Sequence, residues 1–493
     1  MEHNSKRRKR VSFKVCLIVA LSCALIMTGC SGPCPEGPSG HGEGAVFEFY
    51  DGPVFPLTFA EDENAVTVSR NVDYNFSKYS EEYGSGSTVT DSYELYNEAQ
   101  EDLTVTAVYP FVGSFNLLDW PVITVNQSEA DYEIHAGAYA GGFTGGGGDS
   151  VSLNLQNYRS WEEYAEMLSD GSYFSDAFSS PQNLNQPVAV YKVHDIVNQH
   201  EDARSAVLSM ILDYDSAETD IFTFGFNGGG IQESDGGAEG NELEYRLFFV
   251  NEWPNRPDWK VKYLIAIGED LRGYELQGYR DGSCTPGAEL DGISASVTRV
   301  ETTLGDALKE ISQLRYDAVV GDASRGTSDR YINEKISFLQ YYEQIVRHFM
   351  ENGSMGAEPK ERYTSAWNGS FDAFVDETMS LTRIMYLTFD IIIPAGESVT
   401  VSAEQFKDGS HDYYYGSAEG DGANLDGYDM MVSLGSNLSF RNLSASISGY
   451  DAVEIIRQNF GFDIAAGTTQ VELDLNEPRY YLEVRSVITA SRR

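Results

Sequence analysis

Residues 103–109 read Leu103-Thr104-Val105-Thr106-Ala107-Val108-Tyr109, and apolar and polar side chains alternate along them. Alternation with a period of two is typical of a β-strand that buries one face and exposes the other. Pro110 follows directly and is expected to end this strand. The same period recurs at residues 65–69 and 92–96. The first part of the chain is therefore predicted to form an antiparallel sheet.

Helical spacing of apolar residues is concentrated between residues 301 and 380. Two sets of side chains fall on helical faces there: Leu304, Leu308, Ile311 and Leu314, and then Ile332, Ile336, Leu339, Val346 and Phe349. Shorter helices are predicted from capping residues and stop glycines over residues 160–171, 370–379 and 452–460.

These patterns predict a β-rich α+β fold with a β-sandwich-like N-terminal lobe, further mostly antiparallel strands, a helical insert and a C-terminal β lobe. The predicted divisions are a signal peptide (1–29), a flexible tether (30–44), a β-sandwich-like lobe (45–150), a β-rich lobe with one short helix (151–300), a helical segment (301–382) and a C-terminal β-rich lobe with one helix (383–493).

The N-terminus has the layout of a secretory signal. Lys6-Arg7-Arg8-Lys9-Arg10 precede an apolar run, Val15–Ile26, of about 12 residues, which is too short to cross a bilayer. Met27-Thr28-Gly29-Cys30 follows, and this segment resembles the lipobox of bacterial lipoproteins. The resemblance covers residues 6–30 only and implies nothing about the folded body.

The resemblance implies that Cys30 is lipidated, with acyl chains such as palmitate, and becomes the mature N-terminus. The protein is then expected to be extracytoplasmic and anchored to the membrane through this lipid. Cys34 and Cys284 are the other cysteines beyond the signal, and they are either bridged or two separate thiols.

The composition is strongly acidic. The chain has a formal net charge of −42, and residues 1–29 hold six basic residues and one acidic residue, so the charge without them is −47. A body with this charge repels nucleic acid, which is therefore excluded as a partner. The hydrophobic fraction of 41% is too high for a disordered chain, so the body is globular.

Two acidic loops are candidates for a calcium site, since calcium takes hard oxygen ligands. Neither has the spacing of an EF-hand, and solvated turns are the expected alternative. The candidate carboxylates are Glu233, Asp235, Glu239 and Glu242 in the first loop, and Glu419, Asp421 and Asp426 in the second.

The sequence contains none of the common catalytic motifs. There is no Gly-x-Ser-x-Gly elbow and no His-Glu-x-x-His, and the His194-Asp195 and His200-Glu201-Asp202 pairs are interpreted as surface residues. Trp253 and Trp259 flank a stiff loop and are candidates for sugar stacking, although structural anchoring of the loop is the commoner role of such indoles.

The function predicted from the sequence is a lipid-anchored cell-envelope module that binds a protein or glycan ligand or serves as a scaffold, without catalysis. Two alternatives stay open: an extracytoplasmic glycan hydrolase with an unrecognised carboxylate pair, and the solute-binding lipoprotein of a transporter. No cofactor is expected apart from calcium.

Overall fold

The structure is a computed structural model. It describes residues 46–47, 52–79, 86–117, 120–139, 145–146, 161–163, 184–200, 205–215, 218–226, 228–231, 243–248, 259–321, 332–352, 370–381, 383–410 and 425–487. The chain divides into two compact units. We call Phe174–Ser380 the central unit, and Glu36–Tyr173 together with Leu381–Arg493 the discontinuous unit.

The first part of the discontinuous unit contains the strands β1 (Val46–Phe47), β2 (Thr58–Phe59), β3 (Val66–Asn75), β4 (Gly86–Asn97), β5 (Leu103–Gly113), β6 (Val122–Val125), β7 (Ser128–Glu129), β8 (Glu133–Tyr139) and β9 (Gly145–Gly146). Residues 161–163 are helical, and the rest of the helix predicted there lies outside the described residues.

The central unit contains β10 (Pro187–Asn198), β11 (Val207–Asp213), β12 (Thr219–Phe224), β13 (Gly228–Ile231), β14 (Leu243–Phe248), β15 (Lys262–Gly268), β16 (Gly273–Tyr279), β17 (Ile293–Thr303) and the helices α1 (Leu304–Val319), α2 (Phe338–Asn352) and α3 (Phe371–Ser380). The discontinuous unit resumes with β18 (Arg383–Ile393), β19 (Ser398–Asp408), β20 (Leu425–Met431), β21 (Ser439–Ser448), a 3-10 turn (Tyr450–Ala452), β22 (Val453–Gln458), β23 (Gln470–Glu472) and β24 (Arg479–Ser486).

Two four-stranded antiparallel sheets build the central unit, with strand orders β12-β15-β10-β17 and β13-β14-β11-β16. Alternate side chains of β10, β11, β12 and β15 form one apolar core, which includes Tyr191, Met210, Ile221 and Leu264. The helices pack on aromatic residues of the first sheet, where Phe222 meets Phe349 at a ring-centroid distance of 4.9 Å. This arrangement confirms the helical insert.

The discontinuous unit is built around a seven-stranded sheet of order β23-β21-β3-β4-β19-β6-β7. One face of this sheet packs on a three-stranded sheet, β20-β24-β22, through a core that includes Val72, Tyr74, Ile447, Tyr428 and Leu482. A further sheet has the order β2-β5-β18-β8. Strands from the predicted N-terminal and C-terminal lobes thus pair within one unit, and the strand-rich, mostly antiparallel architecture confirms a β-rich α+β fold.

Three element predictions are wrong in detail. The helix predicted over Ala452–Phe460 is instead the 3-10 turn followed by β22, because residues 453–458 obtain their backbone partners from β24. A short apolar run such as this one does not distinguish helix from strand by spacing alone.

Strand β5 does not end at Pro110 but continues to Gly113 against β18. The pairing of β5 with β2 extends only to Val108, so a proline without an N–H is tolerated beyond that point. Helix α2 begins at Phe338, after Ile332 and Ile336, because the Ser337 hydroxyl accepts from the Gln340 N–H at 3.3 Å and caps the helix there.

No helix among the described residues combines the length and the apolar character needed to span a bilayer.

Candidate functional site

Most of the site residues predicted from the sequence lie outside the described residues, and their roles stay predictions. They are Cys30, Cys34, Glu233, Asp235, Glu239, Glu242, Trp253, Glu419 and Asp421. Asp426 lies in β20, is buried, and accepts a hydrogen bond from the Tyr79 hydroxyl. Among the residues that the structure describes, no three His, Cys, Asp or Glu side chains cluster as a metal ion would require.

Trp259 is half-buried beside β12. Its ring centroid is 4.8 Å from that of Phe224, so this indole packs against the first sheet of the central unit. Such packing is typical of an indole that anchors a loop, and the sugar-stacking role of Trp253 and Trp259 stays a prediction.

The most extensive candidate site is the outer face of the seven-stranded sheet, which we call the polar face. Because strand side chains alternate, every second residue of β3, β4, β19 and β21 points away from the apolar core. The side chains on this outer face lie in rows that run across the strands, since paired residues in a sheet share a face.

Three such rows define the polar face. The first row is Glu472, Ser444, Asn71, Ser92, Ser402 and Thr124, which are successive partners across β23, β21, β3, β4, β19 and β6. The second row is Gln470, Ser446, Asp73, Thr90, Glu404 and Val122. The third row is Asn442, Ser69, Glu94 and Thr400.

Hydrogen bonds between neighbouring strands link the side chains within these rows. The hydroxyl oxygens of Ser92 and Ser402 are 3.1 Å apart, and the Ser444 hydroxyl donates to Asn71 Oδ1 at 2.9 Å. In the second row the Ser446 hydroxyl donates to Asp73 Oδ1 at 2.6 Å. These contacts order short side chains that would otherwise rotate freely, so the polar face presents a fixed pattern of donors and acceptors.

A buried ion pair supports the polar face from behind. Arg70 of β3 holds Asp91 of β4 through two hydrogen bonds of 2.9 Å, and both side chains are fully buried. Arg70 Nη1 also donates to the Met431 carbonyl at 2.6 Å, and the Tyr93 hydroxyl donates to Asp91 Oδ2 at 2.5 Å. Burial raises the pKa of the Asp91 carboxyl, and Arg70 opposes that rise.

This buried network fixes the register of the central strands. A one-residue slip of β3 against β4 would separate Arg70 from Asp91 and leave two charges buried without compensation. The same slip would turn the polar side chains toward the core, so the ion pair and the polar face depend on one register.

The polar face was not predicted from the sequence, although serine, threonine and asparagine occupy alternate strand positions there. What the sequence does not show is that residues near 70, 92, 402 and 444 become neighbours in one sheet. Comparison with protein-family models, with curated proteins and with solved structures found no match for this chain.

Proposed function

We propose that this protein is a lipid-anchored, extracytoplasmic binding module whose polar face binds a neutral, hydroxyl-rich polysaccharide. The anchor rests on the lipobox-like segment ending at Cys30. The observation that carries the binding proposal is the ordered array of short polar side chains in the three rows across the seven-stranded sheet.

The chemistry of the rows suits sugar hydroxyls. A sugar hydroxyl both donates and accepts hydrogen bonds. On the polar face, serine and threonine hydroxyls and asparagine amides can donate and accept, and the carboxylates accept. Serine, threonine and asparagine side chains are short, and several are already fixed by their neighbours. Binding therefore costs little additional side-chain entropy.

Charge favours a neutral polymer over an anionic one. The three rows contain four carboxylates, Asp73, Glu94, Glu404 and Glu472, and no lysine or arginine. Together with the strongly negative charge of the whole chain, these groups repel phosphate-containing and uronic-acid polymers.

Spacing also favours an extended chain of sugars. Neighbouring strands in a sheet lie about 4.8 Å apart, which is close to the length of one monosaccharide in an extended glycan. A glycan lying along a row would therefore meet a new strand with each sugar. Tyr96, which is 39% exposed at the end of β4, offers one aromatic ring for stacking beside the third row.

The test is retention of the purified full chain on insoluble neutral polysaccharides, such as cellulose, chitin, xylan and mannan, compared with anionic polymers. Ser92→Lys places a long cationic side chain in the middle of the first row and is expected to abolish retention. Thr104→Lys makes the same charge change at an exposed position of β5, outside the seven-stranded sheet, and is expected to leave retention unchanged.

Melting curves of both variants establish that they fold. Retention of Ser92→Lys equal to that of the unmodified chain would refute the proposal, and so would the absence of retention on every neutral polymer in the panel.

A further inference from the structure

His194 near the end of β10 is hydrogen-bonded through both ring nitrogens. Its Nδ1 lies 2.8 Å from Asp195 Oδ2, and its Nε2 lies 2.8 Å from Thr298 Oγ1 on the neighbouring strand β17. The three side chains therefore form one chain of contacts: hydroxyl, imidazole, carboxylate.

The partners determine which nitrogen carries the proton in the neutral ring. An ionised carboxylate only accepts hydrogen bonds, so Nδ1 carries hydrogen and donates to Asp195. Nε2 is then the acceptor, and the Thr298 hydroxyl donates to it. This is the arrangement in which an imidazole can remove a proton from a hydroxyl nucleophile.

The backbone at this point is unusual for a strand. Successive strand residues normally point to opposite faces, so His194 and Asp195 would not meet in a regular ladder. The β10–β17 register shifts between His194 and Val197, and Asp195 has a φ of +49°. A left-handed backbone is uncommon outside glycine and is energetically unfavourable, and here it turns the carboxylate back onto the imidazole.

We propose that Thr298, His194 and Asp195 act together in the hydrolysis of carboxylic esters. Thr298 is the nucleophile, His194 is the general base and then the general acid, and Asp195 is the positioning residue that holds the imidazole. Thr298 is exposed on β17, which is an outer strand of its sheet among the described residues. The substrate is therefore an ester on an accessible carrier, either a small alcohol or the hydroxyl of a polymer.

The reaction balances without a cofactor. Thr298 Oγ1 gives its proton to His194 Nε2 and bonds to the ester carbonyl carbon, and the ester C–O bond breaks as the alcohol leaves with that proton. Water then attacks the acyl-threonine with His194 as base, which releases the carboxylic acid and restores the threonine hydroxyl.

Charged groups around the three residues leave this chain of contacts intact. Lys192, the strand partner of Thr298, is held by Glu310 of α1 at 2.5 Å. Ser296, the strand partner of His194, is uncharged. These three residues belong to the central unit and the polar face belongs to the discontinuous unit, so ester hydrolysis and glycan binding are tested separately.

The test is the initial rate of hydrolysis of p-nitrophenyl acetate by the full chain, with an acid-quenched sample digested to find the acetylated peptide. Thr298→Val removes the nucleophile and is expected to lower the rate to that of the uncatalysed reaction. His194→Gln is expected to lower the rate about 100-fold, the lower range for loss of a positioned proton-transfer group. Thr298→Ser is expected to retain activity, and the acetyl group should be on Thr298.

Asp195→Asn tests whether Asp195 positions the His194 imidazole. Loss of this positioning should lower kcat and leave KM unchanged. His200→Gln is the matched control, since His200 is also surface-accessible but its Nε2 contacts the Asp291 carbonyl at 2.6 Å. The proposal is overturned if Thr298→Val hydrolyses the ester at the unmodified rate, or if His200→Gln lowers the rate as much as His194→Gln. Once hydrolysis of p-nitrophenyl acetate is measured, the rates on acetylated xylan and on a small alkyl acetate are compared. The faster substrate shows whether the ester is carried by a polymer or by a small alcohol.

Discussion

Glu343 on α2 shows how burial alone changes the behaviour of one residue. The side chain is half-buried, and desolvation raises the pKa of its carboxyl to about 7 from an ordinary value of 4.5. The folded state therefore holds this proton more tightly than the unfolded state does. The ionised form weakens the fold above pH 7, the effect fades as the pH falls from 7 to 4.5, and it is absent below pH 4.5.

Glu343→Gln should consequently stabilise the central unit by about 1–2 kcal/mol at pH 8, a figure reduced to allow for solvent screening of a half-exposed group. At pH 4 the gain should vanish. Denaturant unfolding of the variant at both pH values measures this, with Glu334→Gln at an exposed position as the control. A gain of equal size at both pH values would mean that burial of the charge is not its cause.

At the scale of elements, the glycine that ends β15 carries a strict backbone requirement. Gly268 has a φ of +99°, and a Cβ at this position would lie 2.1 Å from the Glu218 carbonyl oxygen. Gly268→Ala should destabilise the central unit by about 2 kcal/mol or more, because both the conformation and the space exclude a side chain.

Two other glycines distinguish the effect of a positive φ from the effect of a steric clash. Gly396, between β18 and β19, has a φ of +68° but open space around it, so Gly396→Ala should cost about 1 kcal/mol. Gly273, at the start of β16, has neither constraint, and Gly273→Ala should be nearly neutral. Thermal melts of the three variants would contradict this account if Gly268→Ala and Gly273→Ala behaved alike.

The elements also show what the sequence could and could not predict. Alternation along residues 103–109 and helical spacing along residues 304–314 are local signals. A strand and a helix form there, although the strand continues past Pro110 to Gly113. The segment Val453–Gln458 was predicted as a helix but forms a strand. Pairing with Arg479–Ser486 determines its conformation. Local spacing does not report a partner more than twenty residues away.

The candidate sites were not predictable for the same reason, because their residues are distant in the sequence. The polar face joins Asn71, Ser92, Ser402 and Ser444, whose separation in sequence hides their proximity. The contact between His194 and Thr298 likewise depends on the pairing of β10 with β17. The adjacent Asp195 was visible in the sequence, but its turn onto the histidine arises from a bulge that the sequence pattern does not predict.

For the whole molecule, the decisive prediction concerns membrane attachment. In a bacterial host that processes lipoproteins, Cys30→Ala should leave an unprocessed precursor and abolish acylation of the chain. Cys34→Ala, four residues further on, should be processed and acylated normally. Labelling with a fatty-acid analogue measures both outcomes, and acylation of Cys30→Ala would rule out the lipobox interpretation.

The division of the chain into a central and a discontinuous unit has a consequence for biosynthesis. Strand β5 ends at Gly113 and its partner β18 begins at Arg383, so the whole central unit is synthesised between them. At roughly 5–20 residues per second, the ribosome needs tens of seconds to cover that interval. During this time β4 and β5 lack their partners β19 and β18, and each has an unpaired edge. Such edges are templates for pairing with other chains. The yield of the protein in a cell therefore depends on how well its N-terminal strands are shielded before their C-terminal partners are made.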